Sequence, residues 1–327
     1  MNRWLVPLLL ALIAVLAAAS LLAGAVWLPA RTAAAALTTS QPDLAQLIVT
    51  QVRLPRLVLA LMVGGVLGLS GAVLQGLLRN PLAEPGLLGV SSGASLGAVI
   101  AIYYGFSATF ALATPLFALC GALVTIAVAL ALSRTGGTLS LILAGVAVST
   151  VAGAGVSLAL NLAPNPFAAY EIMTWLMGSL ADRSWNHVLL AGPFIAAGAA
   201  LLFLTGPSLD ALALGEQQAE SLGVNVGAVR LLALLGTAAG VGAATAVTGA
   251  IGFVGLVAPH LVRPLVGNRP GATLLPATLA GAAIVLAADI ATRLLRLSGG
   301  INLGVFISVV GAPFFLWLVL HLRRTSP

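Results

Sequence analysis

The chain has 327 residues, 60% of them hydrophobic and only 7% charged, with a formal net charge of +6. A water-soluble domain carries about 25% charged residues, so this composition excludes a soluble globular particle. The basic residues are all arginine, which excludes a P-loop, with its obligatory lysine, and Schiff-base chemistry; charge spread over separate loops also excludes a nucleic-acid footprint.

The apolar runs reach the roughly 20 residues that a bilayer crossing needs, and they lack the polar–apolar alternation of barrel strands. They predict an all-α polytopic membrane protein, a single transmembrane domain over 1–327 with about ten spans. These lie near 4–28, 56–78, 86–104, 108–132, 139–162, 187–206, 229–251, 253–266, 271–291 and 302–322. The first run is longer than the core of a signal peptide, about 7–15 residues, and is read as a retained span with Arg3 inside. The second follows QVRLPR, which sets Arg53 and Arg56 at a membrane mouth. In RNPLAEPGLLGVSSGASLGAV (79–99), Pro81 and Pro85 stop the second span, and Asn80 and Glu84 mark a tight turn. That pattern fits a packed connecting turn or a constriction.

Segment 164–186 is amphipathic, and Trp175 and Trp185 suit a helix lying at the interface. Its Arg183 could attract an anionic substrate or pair with Asp182 or Glu171. Segment 208–226 predicts one or two short helices in water. Its apolar Leu212, Leu214, Leu222 and Val224, set beside Asp210, Glu216 and Glu220, argue for a protein partner. The eighth span is broken by Pro259 and Pro264, and Asp289 and Arg293 have the spacing of a helical i,i+4 pair. Cys120, His187, His260 and His321 are too scattered for metal-ligand spacing.

Ten crossings put both termini on one side. With Arg3 inside, eight arginines (3, 79, 134, 230, 263, 269, 323, 324) face the cytoplasm and six (31, 53, 56, 183, 293, 296) face outward, a weak positive-inside bias. At an offset of 178 residues Val63-Gly64 echoes Val241-Gly242, Pro81 echoes Pro259, Gly89 echoes Gly267 and Gly93-Ala94 echoes Gly271-Ala272. The copies begin five crossings apart, which makes the repeat inverted, a common transporter plan.

Together the segments R-x-P-R at 53–56, NPLAEPGLLG at 80–89, LALGEQQAESLGV at 212–224, GFVGLVAPHLVR at 252–263, Asp289-x-x-x-Arg293 and GAPFF at 311–315 resemble the FecCD family over nearly the whole chain. These are vitamin B12 permease-like subunits of ABC importers for iron-siderophores, haem and vitamin B12. The resemblance implies a homodimer in the bacterial inner membrane, with the pathway on the dimer axis. It implies two cytoplasmic ATPase subunits that bind the ATP and Mg, leaving this chain without cofactor, metal or catalytic residue. A periplasmic binding protein would dock through acidic residues onto Arg53, Arg56 and Arg293. The loop 208–226 would serve as coupling helices, with Asp210, Leu212, Leu214, Gly215, Glu216, Glu220, Leu222 and Gly223 facing the ATPase. Asn80, Leu82, Thr138 and Leu139 would form the inner gate. An iron chelate, ferric siderophore or haem, is the expected cargo, with cobalamin as the alternative. The last span opens on Gly300-Ile301-Asn302-Leu303-Gly304, where some members carry Glu-x-Pro-x-Gly, and so lacks an acid and a proline at the outer mouth. A secondary transporter is the competing class. It would keep an ionisable group deep in the membrane, and Asp289, the best candidate, lies near an outer end.

Overall fold

The structure is a computed structural model and describes residues 4–24, 27–38, 43–110, 112–133, 137–295 and 300–325, which form helices and connecting turns without a strand among them. Apart from the single helical turn Phe106–Thr109, the helices in chain order are α1 (Leu5–Leu22), α2 (Ala30–Thr38), α3 (Leu44–Leu77), α4 (Val90–Tyr103), α5 (Ala113–Leu132), α6 (Thr138–Asn161) and α7 (Pro166–Leu176). They continue with α8 (Trp185–Leu204), α9 (Gly206–Leu212), α10 (Glu216–Ser221), α11 (Val226–Thr248), α12 (Val254–Val262), α13 (Pro270–Leu294) and α14 (Leu303–Thr325). Seven of them, α1, α3, α5, α6, α8, α11 and α13, are long and apolar enough to cross a membrane. The apolar helices α4, α12 and α14 are shorter over their apolar stretches.

Local chemistry explains where these helices start and stop. A π-helical turn, Ile48–Arg53, sits just before Pro55, whose missing N–H and bulky ring disturb the regular ladder. Helix α3 runs through this turn and begins a dozen residues before the expected span. The first helix closes at Leu22 rather than at 28, and the alanine-rich stretch after it forms the unforeseen α2. Helix α4 is short because the 3-10 turn Pro85–Leu88 and the left-handed Gly89 precede it. Helix α11 ends at Thr248, and residues 249–253 run unwound into α12. There Phe253 has φ 64°, a left-handed conformation that non-glycine residues seldom adopt.

The sequence echo has a structural counterpart at the same offset of 178. The 3-10 turn Pro85–Leu88 with Gly89 at φ 79° is repeated as Arg263–Val266 with Gly267 at φ 72°.

Helix α3 lies at the centre and is buried along most of its length. It packs antiparallel to α13 with the two backbones in contact. A Cβ at Gly64 would overlap the Gly281 carbonyl, one at Gly68 the Ala277 carbonyl, and one at Gly281 the Gly64 carbonyl. Small residues permit this approach in lipid, where no hydrophobic drive holds helices together. Further along α3, a Cβ at Gly71 would overlap the carbonyl of Gly255 in α12. Helices α1, α6 and α8 lie outside and keep most of their surface exposed.

Candidate functional site

The two ends of the α3–α13 pair carry different chemistry. One end begins with the last turn of α1, whose carbonyls have no partner within the helix. Arg53 donates through Nη1 to the Leu21 carbonyl at 2.6 Å. Arg293 donates through Nη1 to the Ser20 and Ala23 carbonyls, both at 2.9 Å, and through Nη2 to the Ser20 hydroxyl. Cations at a helix C-terminus are favourable, and these two tie α1 onto α3 and α13.

Asp289, with its side chain fully buried, lies between two guanidinium groups. Arg56 donates to its Oδ1 through Nε at 2.9 Å and Nη2 at 2.7 Å, and Arg293 Nη2 lies 2.8 Å from Oδ2. The i,i+4 pairing anticipated for Asp289 and Arg293 is present, and Arg56 joins it from 233 residues away. Arg53 and Arg293 are buried, at 6% and 8% exposure, and the Arg56 side chain is 15% exposed. Arg296, the further outward arginine, lies outside the described residues.

Three cavities open at this end. One of about 340 Å³ is lined by Arg56, Thr292, Arg293 and Asn302, and one of about 260 Å³ by Gly24, Arg53, Arg56, Arg183 and Arg293. The third, of about 550 Å³, has Tyr170, Glu171, Trp175, Asp182, Arg183 and His187 in its wall. The Arg183 Nε is buried there without a hydrogen-bond partner. Burial pushes its guanidinium below the ordinary arginine range, and neighbouring Asp182 opposes that shift.

The other end carries the turn after α3 and the α9–α10 segment. Asn80 accepts the Leu82 N–H on Oδ1 at 2.9 Å, and the Ala83 N–H reaches the Asn80 carbonyl at 3.1 Å. These bonds close a compact turn of the kind asparagine favours. Beyond the turn, the Leu87 carbonyl and Leu88 lie against Gly145 of α6. Thr138 and Leu139 begin α6, and Leu139 is 70% exposed.

The coupling candidates divide by direction. Leu212 is buried within the chain, as is Leu209 one turn before it, whereas Leu214 and Leu222 are each 65% exposed. Gly215 (φ 119°) and Gly223 (φ 86°) make the left-handed corners around α10. Glu220 is exposed and Glu216 lies 3.7 Å from Arg230. Asp210 is half-buried and bound within the chain, as its Oδ1 accepts the Gly271 N–H at 2.8 Å and its Oδ2 the Arg269 Nη2 at 3.1 Å.

Two further contacts at this end escaped the sequence reading. Pro259 has no N–H, so the Gly255 carbonyl loses its helical partner. Gln75, 2% exposed, donates its amide to that carbonyl at 3.3 Å, and Arg263 Nη2 fixes the amide from its oxygen side at 2.6 Å. A glutamine isolated in an apolar span was the only sequence signal. The second contact is Glu84, whose side chain accepts the backbone N–H of Phe253. Burial pushes its carboxyl above the usual glutamate range, and that hydrogen bond opposes the shift.

Among the described residues no group of three His, Cys, Asp or Glu is placed to hold a metal. A polytopic helical bundle with a cationic end, an opposite end bearing exposed apolar turns, and an unwound segment at 249–253 has the build of a membrane permease. The model of the FecCD transport family matches residues 10–321. The hemin transport system permease protein HmuU of Yersinia pestis is 39% identical over 98% of this chain and 97% of its own length. The vitamin B12 import system permease protein BtuC of Klebsiella pneumoniae is 38% identical over 98% of this chain and 95% of its own. A solved ABC transporter assigned to the metal-chelate type, in an inward-facing conformation, superposes with a TM-score of 0.86 at 33% identity, covering 97% of this chain and 98% of that one. The chain belongs to the FecCD transport family, and it is a permease subunit of an ABC importer rather than an enzyme.

Proposed function

We propose that the chain works as a homodimer in the bacterial inner membrane with both termini in the cytoplasm. It would import an iron chelate, haem or a ferric siderophore, delivered by a periplasmic binding protein and driven by two ATPase subunits that hold the ATP and Mg. The observation that carries the reading is the contrast between the two ends of α3 and α13, clustered arginines around cavities at one and exposed apolar turns at the other. Arg53, Arg56, Arg183 and Arg293 gather at one end around Asp289 and Asp182. Arg263, Arg269 and Arg230 lie at the other, beside the α9–α10 turns.

In this orientation the arginine end faces the periplasm. Arg56 is the direct docking contact, and buried Arg53 and Arg293 supply field and hold the rim. Guanidinium groups match carboxylates on a delivery protein. Surface ion pairs contribute about 0–1 kcal/mol each, so docking is reversible and salt-sensitive. Leu214, Glu220, Leu222 and the corners at Gly215 and Gly223 face the ATPase. Leu212, buried beneath them, and Glu216 beside Arg230 support that surface. Asn80, Leu82, Thr138 and Leu139 line the inner gate. Arg183, with its unpartnered Nε, meets an anionic group of the cargo such as a haem propionate. Closing of the binding protein and binding of ATP shift an alternating-access equilibrium.

The test is uptake into proteoliposomes. ATP-driven uptake is expected only when permease, ATPase and binding protein are all present, and collapse of ion gradients at constant ATP leaves it intact. Uptake by the chain alone, driven by a proton or sodium gradient, would refute the reading. Comparing haem, a ferric siderophore and cobalamin as cargo decides between the iron-chelate assignment and the cobalamin one favoured by the BtuC similarity.

A further inference from the structure

We propose that Asp210 is a positioning residue. It fastens the α9–α10 turn to the start of α13, so that α3 and α13 together form one strut joining the ATPase face to the arginine cluster. The inference rests on the functional reading above and goes beyond it by assigning a route between the two ends.

A continuous series of contacts builds the strut. At its lower end, the Asp210 carboxylate accepts the Gly271 N–H at 2.8 Å, in the first turn of α13. That N–H is among the donors a helix start leaves unpaired, and an acid there is favoured by the helix dipole. The two backbones also meet directly, since a Cβ at Gly271 would come within 2.7 Å of the Gly206 carbonyl at the head of α9. Leu209 of α9, fully buried, lies against Gly76 of α3. Thus α9 touches the lower ends of both helices.

Above this, Gly64, Gly68 and Gly281 bring α3 and α13 backbone to backbone over the middle of the pair. At the upper end Asp289 of α13 binds Arg56 of α3, and Arg293 binds α1. The 25 residues of α13 span about 37 Å at 1.5 Å per residue. A displacement of α9 therefore reaches Asp289 through packed backbone. The exposed Arg269, 70% exposed in its ion pair with Asp210, adds little to this linkage.

The experiment compares Asp210→Ala, Asp210→Asn and Arg269→Ala. In the complex purified with its own ATPase and supplied with its binding protein, three quantities are measured: ATPase assembly, basal ATP hydrolysis, and cargo taken up per ATP. Asp210→Ala is expected to assemble and hydrolyse ATP while uptake per ATP falls at least tenfold. Asp210→Asn keeps an oxygen for the Gly271 N–H and is expected to stay within threefold of wild type, and Arg269→Ala within twofold. Loss of assembly in both Asp210 variants would make Asp210 a direct ATPase contact and overturn the proposal, as would unchanged uptake per ATP in Asp210→Ala.

A second measurement needs no partner. Amide hydrogen exchange of the chain in nanodiscs is expected to quicken at least tenfold over residues 206–212 and 270–275 in Asp210→Ala, and to stay near wild type in Asp210→Asn. Unchanged exchange in Asp210→Ala overturns the proposal. A wild-type complex that shows no ATP-driven uptake while the exchange result holds overturns the functional reading alone.

Discussion

Asp289→Asn tests the account of the arginine cluster most directly. The substitution preserves size and removes one charge from a site where the carboxylate is fully buried. In the wild type, Arg56 and Arg293 share one carboxylate, through contacts of 2.7, 2.8 and 2.9 Å. In the variant two guanidinium groups face one neutral amide. A unit charge pair at 4 Å is worth about 4 kcal/mol at an effective dielectric of 20, and removing one partner of a buried pair costs about 3–5 kcal/mol. Arg293 retains its acceptors on α1 and Arg56 is partly hydrated, so the lower end, about 3 kcal/mol, is expected. The assay is denaturant unfolding in detergent micelles of four proteins: wild type, Asp289→Asn, Arg56→Gln and the double variant. In the Arg56→Gln background one guanidinium is already gone, and Asp289→Asn is expected to cost no more than half as much. A loss below about 1 kcal/mol, or the same loss in both backgrounds, would refute the shared-carboxylate account.

Gln75→Ala orphans the Gly255 carbonyl and is expected to cost about 1–3 kcal/mol by the same assay. The loss should shrink in a Pro259→Ala background, where residue 259 regains the N–H that carbonyl needs. Glu84→Gln keeps an acceptor for the Phe253 N–H and removes the buried charge. The Glu84 carboxyl is raised by burial, so the stability it contributes is present at low pH and lost as pH rises through its folded value. The variant is therefore expected to melt higher than wild type at neutral pH, with the gap closing below the ordinary glutamate value of about 4.3. A constant gap across pH would contradict this. Arg56→Glu is expected to weaken binding-protein association at low salt more than at high salt, as a titration at two ionic strengths would show. Gly281→Leu forces a side chain into the Gly64 carbonyl and is expected to abolish the folded monodisperse peak in size-exclusion chromatography.

The course of the helices was legible because each span must be apolar over a fixed length, and prolines and glycines punctuate the runs. The shortness of α12 was expected from Pro259 and Pro264, but the helix runs through Pro259 and gives way at the 3-10 turn that holds Pro264; of the one or two short helices expected at 208–226, two are present. The missed features have non-local or subtle causes. The π-turn before Pro55 is a distortion of a helix that continues through it, and α2 looks like any alanine-rich linker. Local spacing gave Asp289–Arg293, whereas no local rule could bring Arg56 to the same carboxylate. Likewise the apolar face of 208–226 read as one surface, yet Leu212 turned inward and Leu214 and Leu222 outward, because the packing of α9 on α3 and α13 decides the direction.

The glycine seam between α3 and α13 also limits how the protein can be engineered. Replacing a helical glycine by alanine ordinarily strengthens a helix by about 0.5–1 kcal/mol. Along this seam the added methyl has no room, so Gly64, Gly68 and Gly281 are closed to that strategy. Gly153, in the middle of α6, has nothing within 4 Å of where its methyl would sit, and thermostabilisation of the protomer should begin there.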